Sequence, residues 1–452
     1  MIRKLLVVAT TMVVGCGLVA TTGSAARGTQ FGAPVKVTPT LGYGYEPAVY
    51  VDHYGNVFAT AHKENWQLAI APDLNSPTFT RSMSWAWVSS DSGRSFQDIP
   101  GLTALSFEQH DFGDEGDLAL DDANHLYFVD TNVADVTFTR WSVTGLGQMS
   151  LDLHRPFLPA AQTVDDRPWV TAHGNGHVFY FGNQGDKVTY PLGQGSGSGF
   201  GPGRYTVYQS YDGGQTFDPL GYTLKDSGWC RPAADHAPGS PYVYAVCTND
   251  GGSDDFTTDV NKTGTIWAYV SADDGHTFSR YKVGSYAALD STTSWPTVEV
   301  APDGSIWALY VDGRLDSSGN PVTNRLMLFH STNHGQTWSK RDITPLTGRY
   351  EYAWLSVSPD GTKLGLGVYY RPDNTSDWYV YGSVFASGAK PTLVSLDPSH
   401  SVQDKHCLEA NGDLMGSAFS PDGTLSVVWT RNTIPSQCGT VTARDIYYAR
   451  SQ

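Results

Sequence analysis

Through most of the chain, apolar and polar residues alternate in short runs broken by Gly, Asp, Asn and Pro, and one unit recurs. An acidic, Arg or Trp residue, often beside Pro, precedes a strand-like run, a turn and a second run. Copies begin at Glu46-Pro47, Asp117, Asp166-Arg167-Pro168-Trp169, Arg231-Pro232, Trp295-Pro296, Tyr350-Glu351-Tyr352 and Gly412-Asp413. Alternation of period two bounded by turn residues predicts seven β-hairpins. No long segment carries helical periodicity, so the expected class is all-β.

A second motif follows four of the hairpins. Ser89-Ser-Asp91-Ser-Gly93-Arg-Ser95-Phe96, Ser210-Tyr-Asp212-Gly-Gly214-Gln-Thr216-Phe217, Ser271-Ala-Asp273-Asp-Gly275-His-Thr277-Phe278 and Ser331-Thr-Asn333-His-Gly335-Gln-Thr337-Trp338 keep their polar, glycine and aromatic positions at the same offsets. Each reads as a tight turn between two strands. The Asp or Asn side chain bonds backbone N–H groups, glycine takes positive φ, and the aromatic folds over apolar neighbours. The hairpins after Asp117 and Glu351 are followed instead by strand-like runs at 136–141 and 378–385. The last hairpin has room for one further strand, at 445–450, while a spare strand at 33–38 precedes the first. Pairing these two closes the ring and hides its edges. The expected fold is a seven-bladed β-propeller of four-stranded antiparallel blades with an N-terminal closing strand, six blades being the competing count.

The pattern S-x-D-x-G-x-T-W/F resembles the Asp box, or BNR repeat, of the sialidase-like secreted β-propellers. In that family the box lies between the third and fourth strands of a blade, remote from the active site. The resemblance spans nearly the whole mature chain. Asp166-Arg167-Pro168-Trp169, Gly412-Asp413 with Gly416, and Trp429-Thr430-Arg431 are also similar to pieces of secreted bacterial sialidase-like proteins. The Arg-Ile-Pro motif that supplies one arginine of the sialidase triad is missing; the nearest strings are Arg155-Pro156-Phe157 and Arg167-Pro168-Trp169.

Residues 1–26 join Arg3 and Lys4 to an apolar run and the small-residue end Gly23-Ser24-Ala25-Ala26. This reads as a secretory signal, leaving 27–452 as one propeller domain in an extracellular protein. Val13-Val14-Gly15-Cys16 also resembles a lipobox, with lipid anchoring through Cys16 as the alternative. No later segment is apolar enough to span a bilayer. Removing Arg3 and Lys4 takes the net charge from −16 to −18, which disfavours nucleic acid or an anionic membrane as a general partner. A monomer is expected. Four cysteines remain, and sequence proximity favours Cys230–Cys247 and Cys407–Cys438 among the three possible pairings.

In a propeller the starts of the innermost strands and the ends of the second strands converge on one face. The first set comprises Glu46, Asp117, Asp166, Arg167, Arg231, Trp295, Tyr350, Glu351 and Asp413. The second comprises Lys63, Glu64, Asp130, Asp250, Asp312, Arg314, Arg371 and Arg431. Arginine forks grip carboxylates bidentately, and carboxyls act as acid, base or nucleophile at a glycosidic bond. The reading is a glycoside hydrolase acting on an acidic or complex extracellular glycan, with a non-catalytic glycan- or protein-binding propeller as the alternative. Tyr350 with Glu351 is the candidate nucleophile pair, as the sialidase resemblance implies, and Asp117 or Asp413 is the candidate acid/base. Arg167, Asp166, Arg231, Arg314, Arg371, Arg431, Glu46 and Trp295 are candidates for substrate binding. Structure alone competes with function at each of these: Arg–Asp pairs also lock neighbouring blades. No spacing argues for zinc and no cofactor is expected; the acidic run Asp111-Phe-Gly-Asp114-Glu115-Gly-Asp117 offers carboxylates to a structural calcium at a spacing unlike an EF-hand. The Gly-rich tract 193–203 has neither a nucleophile-elbow nor a phosphate-loop register.

Overall fold

The computed structural model describes residues 29–37, 44, 46–62, 84–101, 115–132, 135–157, 168–184, 204–225, 227–248, 264–286, 296–315, 321–373, 375, 377–402, 414–432 and 444–452. Every regular element among them is a strand. Blade 1 is β2 (Ala48–Val51), β3 (Val57–His62), β4 (Ser84–Ser89) and β5 (Gln97–Asp98). Blade 2 is β6 (Glu115–Leu120), β7 (His125–Asn132), β8 (Asp135–Gly145) and β9 (Gln148–Phe157), and blade 3 is β10 (Trp169–His173), β11 (His177–Gln184), β12 (Arg204–Ser210) and β13 (Tyr222–Thr223). Blade 4 is β14 (Cys230–Ala234), β15 (Val243–Thr248), β16 (Gly264–Ser271) and β17 (Ser279–Tyr286). Blade 5 is β18 (Thr297–Val300), β19 (Ile306–Leu315), β20 (Pro321–Ser331) and β21 (Ser339–Asp342). Blade 6 is β22 (Gly348–Val357), β23 (Lys363–Pro372), β24 (Tyr379–Ala386) and β25 (Val394–Ser395).

Blade 7 takes its first three strands, β26 (Gly416–Phe419), β27 (Leu425–Asn432) and β28 (Arg444–Arg450), from the C-terminal part and its fourth, β1 (Val35–Lys36), from the N-terminal part. Val35 pairs with Tyr448 and Lys36 with Tyr447, and the Gly32 N–H donates to the Arg450 carbonyl at 2.9 Å. The closing strand therefore consumes the open edge of the last blade. The count is seven, with neighbouring inner strands in contact around the ring and β2 meeting β26 where it closes.

The box turns set how blades stack. In blade 1 the Ser89 hydroxyl accepts the Gly93 N–H at 2.8 Å, and the Asp91 carboxylate accepts the Ser95 N–H at 3.0 Å and the Ser95 hydroxyl at 2.7 Å. Two successive residues are left-handed in every copy, for example Asp274 (φ 60°) before Gly275 (φ 83°). The glycine is required for a second reason. A Cβ there would run into the preceding blade, striking Tyr448 from Gly93, Phe138 from Gly214 and Phe179 from Gly275. Three of the boxes thus let one blade's turn lie on its neighbour's aromatic, and the fourth, at Gly335, lies on Val270. Between blades 4 and 5, Tyr244, Val246, Ile266 and Ala268 face Val298, Ile306, Ala308 and Tyr310 in the same close-packed manner.

Cys230 and Cys247 are register partners on β14 and β15 and form the expected disulfide. Cys407 and Cys438 lie outside the described residues, as do residues 1–28, with Cys16 among them, and the Gly-rich tract.

Candidate functional site

Each inner strand starts on one face of the disc, here the loop face, and ends at the turn into its second strand on the other, the hairpin face. Near the loop-face end, the channel along the axis is spanned by a cluster contributed by five blades. Asp117 of β6 is fully buried. Its carboxylate accepts the Tyr50 hydroxyl at 3.0 Å, the Val170 N–H at 3.1 Å and Arg231 Nη1 at 3.0 Å. Arg231 also donates through Nη2 to the Tyr50 hydroxyl. Its guanidinium carbon lies 4.4 Å from the centre of the Trp169 ring and 4.7 Å from that of Trp354.

A guanidinium is tolerated here because aromatic faces and a carboxylate replace its water. Burial pushes the Asp117 carboxyl above its ordinary range, and Arg231, then the Val170 N–H and Tyr50, pull it part of the way back. Burial works against the Arg231 charge, but Asp117, Tyr50 and Glu299 together outweigh it and raise the guanidinium. The sequence nominated Asp117 for acid–base work and Arg231 for ligand binding. The structure brings them together as an ion pair through Oδ2, and the Tyr50 hydroxyl takes Oδ1, so both carboxylate oxygens are occupied.

Beneath this cluster, toward the hairpin face, lies a cavity of about 660 Å³ bounded by the inner strands. Its lining runs from Arg231 and Trp354 to Asp122 and His236 at the hairpin turns, with Glu299 of β18 between. Burial pushes the Glu299 carboxyl up to about 7, against the opposing pull of Arg231 and His236. His236 Nδ1 lies 2.7 Å from Asp122. Burial disfavours the charge on His236, and the bond to Asp122 together with the charges of Asp122, Glu299 and Asp235 outweighs it and raises the imidazole. Sequence reasoning missed Glu299 and His236. The signal for Glu299 was present: it is the one charged residue in Thr297-Val-Glu299-Val, a strand expected at the axis.

Around the loop-face ends of blades 6 and 7, other candidates gather. Arg349 and Arg371 are register partners on β22 and β23, and Arg349 reaches Glu351 at 3.3 Å. The Arg371 guanidinium carbon lies 5.4 Å from the Trp378 ring centre. Burial and then the neighbouring Arg349 charge hold Arg371 below its ordinary value. Arg431 bonds Asp397 at 2.7 Å and lies 3.7 Å above the Tyr447 ring, and Asp397 also meets His400 Nδ1 at 2.8 Å.

Tyr350 and Glu351 do not form a pair. The Tyr350 ring packs into the core with Leu355 and Val368, and its hydroxyl accepts the Leu346 N–H at 3.0 Å and donates to the Leu346 carbonyl at 2.6 Å. Burial raises the phenol well above its ordinary value. Glu46 is buried just before β2 with a left-handed φ of 54°. Asp312 is buried and paired with Arg325 at 2.7 Å. Asp130 is buried on β7. Arg314 lies on β19 opposite Thr323, its side chain outside the described residues. Asp166, Arg167, Trp295, Asp413, Lys63, Glu64 and Asp250 lie outside them altogether, as do Asp111 and Asp114 of the calcium candidate. Among the described residues, one group places metal-ligand atoms within reach of one another, and it sits on the hairpin face away from the axis.

No family model and no curated protein matches the sequence. Solved structures do match in fold. A protein of unknown function from Dyadobacter fermentans is 13% identical over 94% of this chain and 99% of its own, with a TM-score of 0.50. The polysaccharide lyase Uly1 is 10% identical over 92% of this chain and 90% of its own, also at 0.50. The intramolecular trans-sialidase from Ruminococcus gnavus is 10% identical over 90% and 94%, at 0.42. At these identities the likeness is one of fold.

Proposed function

We propose that the chain is an extracellular carbohydrate-active propeller that takes an acidic glycan on its loop face, with the arginines of blades 6 and 7 recognising the anionic groups. One observation carries the reading. Arg349 and Arg371 stand side by side at the loop-face end of blade 6, with Arg371 over Trp378, in a chain whose net charge is −16. Two adjacent guanidinium groups repel one another, and a bound carboxylate or sulfate relieves that repulsion through bidentate bonds. Indole and phenol faces beside the arginines suit the apolar faces of sugar rings. The disulfide in blade 4 fits an oxidising compartment.

Recognition is favoured over hydrolysis by Asp117 and Glu351, because Asp117 is bonded to Arg231 and Glu351 to Arg349. A second reading, cleavage, rests on Glu299. A carboxyl with a pKa of about 7 is about half protonated at neutral pH, the range that suits a general acid. The two readings separate in a screen of the purified chain against fluorogenic glycosides and charged and neutral polysaccharides. Retention of acidic glycans without turnover is expected. Turnover that disappears in Glu299→Gln establishes cleavage instead, and failure to retain any acidic glycan refutes the proposal.

A further inference from the structure

We propose that His173, His177 and Asp274 form a binding site for a divalent transition ion of the zinc class, which bridges blades 3 and 4 on the hairpin face. The site is independent of the glycan reading. His173 ends β10 and His177 begins β11, and the turn Gly174-Asn175-Gly176 makes them register partners whose side chains share one face of the sheet. Their rings are 5.5 Å apart and nearly perpendicular. Asp274, from the box turn of blade 4, lies between them: His173 Nε2 is 2.8 Å from Oδ1, and His177 Nδ1 is 2.7 Å from Oδ2. The three ligand atoms lie within 4.8 Å of one another.

The surrounding structure holds these groups in place. The Asp121 and Asp122 carboxylates accept the Gly176 and Gly174 N–H groups at 2.9 and 2.6 Å, fixing the turn between the histidines. The Asp274 N–H donates to the Pro241 carbonyl at 2.9 Å, and the Tyr211 hydroxyl donates to the Asp274 carbonyl at 2.7 Å. Asp274 itself has a left-handed φ of 60°, at the position filled by Ser92, Gly213 and His334 in the sister turns. Only this copy places a carboxylate there, and only this hairpin faces it with two imidazoles.

Two imidazole nitrogens and one carboxylate oxygen are the donor set of a borderline cation, and calcium or magnesium would prefer oxygen throughout. Ligands of a tetrahedral ion at roughly 2.1 Å stand about 3.4 Å apart, so the histidine–carboxylate contacts of 2.8 and 2.7 Å give way to slightly wider spacings as the ion enters between the groups. His177 and Asp274 are partly exposed and can make that adjustment, while buried His173 anchors the set. In the metal-free chain each imidazole donates its facing N–H to Asp274. In the loaded chain each proton resides on the other ring nitrogen, and the facing lone pair goes to the ion. The fourth position is left to water.

The test is titration of the chelator-stripped full chain with Zn²⁺ by calorimetry, and with Co²⁺ by its visible absorption. One saturable site is expected, with the absorption intensity of four-coordinate Co²⁺ and a rise in melting temperature that Ca²⁺ and Mg²⁺ do not reproduce. Asp274→Gly suits the left-handed backbone, as Gly213 does in its own turn, and so keeps the fold while deleting a ligand. It and His177→Ala each remove a direct ligand and should each weaken the site by at least about 100-fold, the upper end of what loss of an outer-shell partner costs. Absence of a saturable site, or one that both variants retain at wild-type affinity, overturns the proposal.

Discussion

Two levels of the axial channel treat an inward-facing carboxylate differently. At the loop-face end, Asp117 receives an arginine, a tyrosine hydroxyl and a backbone N–H, so its desolvation is compensated by groups from three other blades. Lower down, Glu299 feels Arg231 and His236 only through space, no donor among the described residues bonds it, and it answers burial by keeping its proton up to about pH 7. Burial raises both carboxyls, and only the one with bonded partners is pulled part of the way back by hydrogen bonds.

The strongest way to break the contrast is Arg231→Ala. It strands the Asp117 charge at the centre of the disc and should cost about 3–5 kcal/mol in guanidinium denaturation, whereas replacing both partners with apolar residues of similar volume should cost much less. A loss below about 1 kcal/mol would mean that Asp117 is not charged there.

Glu299→Gln should act in the opposite direction, raising stability at pH 8 by about 1–3 kcal/mol. The folded-state pKa is raised from 4.5 to about 7. Between those values the unfolded chain has lost the proton that the folded chain retains, so wild-type stability falls as pH rises through the window and levels off above it. Melting temperatures across pH 4–8 should show that decline in the wild type and a flatter profile in the variant.

Asp273→Ala, in the box of blade 4, should cost about 1 kcal/mol through loss of the bonds to Thr277. Bonding lowers the Asp273 carboxyl despite some burial, so this contribution holds above the ordinary carboxylate range and fades as pH falls through it. Arg371→Ala should change stability least, by less than about 0.5 kcal/mol, since no carboxylate among the described residues pairs with it closely. Equilibrium unfolding of these two variants side by side would rank them.

The architecture was largely legible from the chain. Period-two runs and the fixed box offsets mark the strands, and the spare run at 33–38 pairs with the last strand as edge protection requires. Local chemistry dictates such features, so local sequence carries them. The site was legible only as a zone. Asp117 and Arg231 were both nominated, but their pairing across 114 residues depends on which blades face each other over the axis. Tyr350 was misjudged in direction. The strand is irregular between Glu351 and Trp354, with Tyr352 at a φ of 50°, and that bulge turns Trp354 to the axis while Tyr350 stays in the core. Glu299 lies inside its strand rather than at an end, where the converging positions are read, although a lone charge inside an axial strand is itself a signal.

The most direct measurement of the central proposal compares the binding of one acidic polysaccharide before and after chemical reduction of its carboxyl groups, by wild type and Arg371→Ala. The account predicts saturable binding of the native polymer that weakens with added salt, falls at least about tenfold in the variant, and vanishes for the reduced polymer. Equal binding of native and reduced polymers, or an affinity untouched by the loss of Arg371, would contradict it.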